Sequence, residues 1–125
     1  MNKLLSFSII LGAIGIILGA FGAHALKGIL TEQSMASFET GVRYQMYHVL
    51  LLVGVNLATV LSDRTKKQVS SLILLGIFFF SGSIYAITVA GIPAKSIWFV
   101  TPLGGLLFII GWILLAVRTL NEVRH

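Results

Sequence analysis

The sequence predicts an all-α membrane protein, a polytopic four-helix bundle with a short amphipathic helix between its first two spans. Three observations carry that expectation. The 125 residues are 57% hydrophobic and only 10% charged, too apolar a mixture for a soluble domain of this size. Four runs, 4–23, 44–61, 69–92 and 96–117, contain no Asp, Glu, Lys or Arg, and each approaches the roughly 20 residues that an α-helix needs to cross hydrocarbon. The alternation that would suit a barrel is absent, so backbone groups deprived of water must pair within helices. Spans are expected at about 4–25, 44–61, 69–91 and 101–118, in a single domain covering 1–125.

The first run carries Gly12, Gly15, Gly19 and Gly22 at spacings of 3, 4 and 3. These glycines share one helix face, where a second backbone can approach closely, either within the bundle or in a homo-oligomer of the chain. Lys3, the apolar run and Ala23-His24-Ala25 imitate a signal peptide. The run exceeds the usual apolar core of such peptides and reads as a retained span.

Between the first two spans, Thr31 is placed to cap a helix whose Met35, Phe38, Val42 and Met46 form one apolar stripe. That amphipathic helix either runs on into the second span or bends at Gly41. The segment 62–68, SDRTKKQ, reads as a short basic turn. Gly82, Ala86 and Ala90 repeat the small-residue stripe on the third helix. Both prolines fall in GIPAKSIWFVTPLGG, where Thr101 and Pro102 have the pattern of an N-cap followed by proline at the first helical position. Residues 93–100 would then form an interfacial connection with Trp98 at headgroup level. Gly104, Gly105 and Gly111 supply packing positions on the fourth helix.

The net charge of +5 sits at the helix ends, which argues for orientation rather than nucleic acid. With the N-terminus inside, the inner side carries Lys3, Arg64, Lys66, Lys67, Arg118 and Arg124, against Lys27, Arg43 and Lys95 outside. Both termini are therefore expected in the cytoplasm. This arrangement gathers His24, Glu39, Arg43, Tyr44, Gln45, His48 and Thr101 into one polar layer at the outer mouth. Glu39 and Arg43 are spaced for an ion pair, and Tyr44 and His48 are also i,i+4 neighbours. The exposed N–H groups opening the fourth helix add partial positive charge. Asn56 lies deeper, as an interhelical hydrogen-bonding residue.

Chemistry is otherwise sparse. The chain has no cysteine, which excludes disulfides and thiol catalysis. No phosphate-binding glycine loop, nucleophile elbow or HExxH stretch is present. All four acids, Glu32, Glu39, Asp63 and Glu122, lie outside the expected spans, unlike the buried acid of a proton-coupled transporter. No enzyme, metal site or cofactor is expected.

Three stretches carry a resemblance: GAFGAHALK at 19–27, FETGVRYQMYH at 38–48 and TPLGGLLFIIGW at 101–112. Together they resemble the small bacterial inner-membrane proteins of the YwdK/YgdD type, a group related to a small eukaryotic transmembrane protein. The resemblance extends over nearly the whole chain. It implies a four-span inner-membrane protein and leaves the biochemical role open.

The leading expectation is a non-catalytic protein whose polar layer binds a membrane lipid, or another membrane protein, with Arg43 meeting an anionic oxygen. A second reading makes His24 and His48 the axial pair of a haem or the partners of a quinone. Two histidines are an incomplete set for zinc. A third reading is a small oligomeric channel or transporter.

Overall fold

Residues that meet no water must satisfy their backbone groups locally, and this chain does so in four long helices. The computed structural model describes residues 2–123. Arg124, counted above on the inner side, lies outside the described residues. Helix α1 is Asn2–His24, α2 is Glu32–Leu57, α3 is Asp63–Thr88 and α4 is Val100–Glu122, with a single 3₁₀ turn at Ala94–Ser96 before α4. Each helix packs on the next, α1 on α2, α2 on α3 and α3 on α4.

Helices α1, α3 and α4 are long and apolar enough to cross a membrane by length and composition. Their outward faces carry exposed Ile9, Ile16, Phe21, Phe78, Ile109 and Ile113. In water such a surface would aggregate, and in a bilayer it faces hydrocarbon of its own polarity. The α2 helix is the polar member, and its Gln45, His48 and Asn56 are buried among the other three.

The expected boundaries shift in four places. The amphipathic helix and the second span are one uninterrupted α2, capped by the Thr31 hydroxyl accepting from Ser34 N at 3.1 Å. Helix α2 ends at Leu57 rather than 61. The basic turn is not a turn. Ser62 caps α3, accepting from Thr65 N at 3.2 Å, and Asp63 to Gln68 form its first turns. Thr101 is not an N-cap either. It lies inside α4, which Phe99 precedes without a side-chain cap, and its hydroxyl bonds Ser83 on α3. At the far end of α3, Ala90 N and Ile92 N return to the Tyr85 and Ala86 carbonyls across Gly91, whose φ of 76° suits glycine.

Glycine sets the helix spacing. An added Cβ at Gly12 would lie 3.2 Å from Val49, at Gly15 2.5 Å from the Met46 sulfur, at Gly19 3.5 Å from Val42 and at Gly22 3.1 Å from the Phe38 ring. The glycine face of α1 is therefore covered by α2 of the same chain. Between α3 and α4, a Cβ at Gly111 would lie 2.6 Å from Ile73, and one at Gly104 would meet the Phe80 backbone. Gly105 is different, with its nearest neighbour 3.9 Å away. The Gly82 position on α3 has open space before it.

Candidate functional site

The glycine contacts also fix depth. Gly22 meets Phe38 and Gly12 meets Val49, so α2 descends beside the rising α1. At 1.5 Å per residue, His48 lies about 18 Å further into the bundle than His24. The expected single layer separates into an exposed His24 at the end of α1 and a buried His48 near mid-bundle.

His48 is held on every side. Its ring stacks on Phe108 with centroids 3.6 Å apart and planes 10° apart. Its Nδ1 lies 2.7 Å from the Tyr44 carbonyl, and Trp112 Nε1 donates to its Nε2 at 3.1 Å. A carbonyl only accepts and an indole N–H only donates, so the proton is on Nδ1 and the Nε2 lone pair is taken. Both nitrogens are engaged, Nδ1 within α2 and Nε2 in joining α2 to α4. The haem or quinone pairing of His24 with His48 thus lacks both the proximity and a free ring nitrogen. Among the described residues, no three of His, Cys, Asp and Glu come together as a metal cluster.

Gln45 joins three helices. Its Nε2 donates to the Leu11 carbonyl of α1 at 2.8 Å, and its Oε1 accepts from Tyr85 Oη of α3 at 2.7 Å. One turn away, Ser81 Oγ donates to the Gly41 carbonyl at 2.6 Å. Asn56 Nδ2 donates to Leu52 O and to Ser70 Oγ of α3, at 2.8 and 2.9 Å. At the far ends of α3 and α4, Glu122 accepts from Ser62 N at 2.6 Å and from the Thr65 hydroxyl, while Arg118 donates to Gln68 Oε1 at 2.7 Å. These interior polar residues are fasteners. Trp112, Tyr85 and Ser70 were not singled out in the sequence, because only their distance from a polar residue of α2 gives them a role.

Arg43 stands apart. It is one residue past Val42, which faces Gly19, and so sits about 9 Å inside the level of His24. Among the described residues it forms no ion pair, and the expected Glu39–Arg43 bridge is not made. The single bridge there is Arg118–Glu122, at 4.0 Å. Arg43 instead lines a groove of about 510 Å³ between α1 and α2, walled by Leu18, Gly19, Gly22, Met35, Phe38 and Val42, with Lys27 and Glu39 also on its lining. The glycines make this groove by leaving out side chains. Neither Thr101 nor any other residue of α4 lines it, so the start of α4 adds no charge there.

Residues 18–105 match the family described as a protein of unknown function, DUF423. The chain belongs to the DUF423 family. It is 44% identical over 119 residues to the UPF0382 membrane protein YwdK of Bacillus subtilis, a match covering 90% of this chain and 95% of the relative. To the UPF0382 inner membrane protein YgdD of Escherichia coli it is 38% identical over 123 residues, 97% of this chain and 92% of the relative. To the UPF0382 membrane protein SH2409 of Staphylococcus haemolyticus it is 40% identical over 119 residues, covering 92% and 96%. No solved structure matches the chain. With such relatives and three helices long and apolar enough to span, this DUF423 chain is a membrane protein. The matched DUF423 segment contains the whole Arg43 groove and ends before Phe108 and Trp112.

Proposed function

We propose that this protein is a non-catalytic lipid-binding protein of the bacterial inner membrane, with all four helices crossing and both termini cytoplasmic. Its ligand is an anionic phospholipid. An acyl chain lies along the Gly19–Gly22 wall of the groove, and the phosphate meets Arg43 and Lys27. The observation that carries this reading is Arg43, an exposed cation that forms no carboxylate pair among the described residues and lines a mostly apolar groove below the end of α1.

A cation at that depth is costly unless an anion or water meets it. A phosphate oxygen does so through charge-assisted hydrogen bonds. Two cations against the one carboxylate of Glu39 favour a ligand of net negative charge. His48, Gln45 and Thr101 serve the bundle and not the ligand. Tyr44 stacks on Phe80 at 4.9 Å, on the side of α2 facing α3 and α4. His24 lies beyond the groove lining.

Native mass spectrometry of protein extracted in a mild detergent tests the reading. The wild type should retain one phosphatidylglycerol or cardiolipin, and Arg43→Ala should lose it with about a tenfold weaker affinity. Equal lipid retention by the two proteins would contradict the proposal.

A further inference from the structure

The opposite end of the bundle holds a second polar cavity. It encloses about 240 Å³ where α1, α2 and α3 meet, and is lined by Leu4, Asn56, Asp63, Lys66 and Lys67. Two of these side chains are in an unusual state. Lys66 is only 6% exposed, yet among the described residues its ammonium has no hydrogen-bond or carboxylate partner, and Asp63 does not pair with it. Asn56 is also 6% exposed, and its Oδ1 is buried without a partner among the described residues. Flipping the amide does not help. Its Nδ2 faces the Leu52 carbonyl at 2.8 Å, and a carbonyl cannot donate to an oxygen put in that place.

A buried orphan acceptor is expensive and is ordinarily satisfied in native structures, and the mostly buried Lys66 lines the same cavity. The first turn of α3 adds its partial positive charge, and Lys67 adds a second ammonium at the cavity. We infer that this cavity is an anion site for a phosphate-bearing group with a neighbouring hydroxyl or ammonium donor, the phosphate on Lys66 and Lys67 and the donor on Asn56 Oδ1. A glycerophospholipid headgroup and free phosphate share the phosphate. Both can also offer the donor, the headgroup through its hydroxyl or ammonium and free phosphate through its own P–OH, so the two probes separate the sources. This site is independent of the Arg43 groove.

The test uses the full chain in detergent with Arg43→Ala as background, so that the first groove is silent. Short-chain phosphatidylglycerol and, separately, sodium phosphate are titrated by calorimetry. Binding of either should weaken about tenfold in Lys66→Gln and in Lys67→Gln, and recover in Lys66→Arg. Arg64→Gln, an exposed charge in the same turn that does not line the cavity, should change it by less than about twofold. Lys66-dependent binding of the lipid alone identifies a headgroup site, and Lys66-dependent binding of phosphate identifies a general anion site. Lys67 is exposed, so its variant keeps the test valid should Lys66→Gln fail to fold. Absence of binding by both probes, or equal weakening by Arg64→Gln, overturns the inference.

Discussion

Gly104→Ala should destabilise the detergent-solubilised bundle by about 2–3 kcal/mol, while Gly105→Ala next to it changes stability by less than about 0.5 kcal/mol. The difference comes from what a methyl group would meet. At Gly104 it would run into the Phe80 backbone, with the Phe80 Cα 2.8 Å away, and a backbone atom in a helix cannot rotate aside. At Gly105 the nearest atom is a ring carbon at 3.9 Å. Reversible unfolding in mixed micelles, followed by circular dichroism, measures both. Because lipid gives little hydrophobic drive between helices, the α3–α4 contact depends on this close approach. Equal effects at the two positions would mean that α3 and α4 do not pack through Gly104.

Gln45→Leu should cost about 2 kcal/mol, from the loss of two interhelical hydrogen bonds and an unpartnered Tyr85 hydroxyl. Gln45 is 2% exposed and bonds α1 and α3 at once. Tyr85→Phe alone should cost about 1 kcal/mol, and the double variant less than the sum by about 1 kcal/mol, since removing both partners leaves no orphan hydroxyl. Additive losses would show that the bond between these two side chains contributes nothing.

The glycine stripe and the apolar runs were legible in the sequence because helical period and length each have a direct physical meaning in lipid. Thr31 was legible as a cap for the same local reason. Depth was not. Reading the second span from Tyr44 takes the start of the apolar run for the start of the packed helix, and so puts His48 at the outer mouth. Helix α2 begins twelve residues earlier, at Glu32, and its first three turns run alongside the end of α1, with Phe38 against Gly22. A hydropathy pattern reports which faces are apolar and is silent on where a packed, inward-facing polar helix lies. The same limit hid the Lys66 cavity. In sequence Lys66 is one cation in a basic run, and its burial appears only when α1 and α2 close over it.

Both proposed sites require that α2 cross the bilayer, since they lie at its opposite ends. The chain has no cysteine, so single cysteines report sidedness without background. Gln33→Cys, exposed at the start of α2, and Thr59→Cys, exposed in the loop after it, should label oppositely with a membrane-impermeant maleimide. Position 33 should react in intact spheroplasts, and position 59 only after the membrane is permeabilised. Labelling of both positions from the same side would place α2 on one face of the membrane and contradict the account.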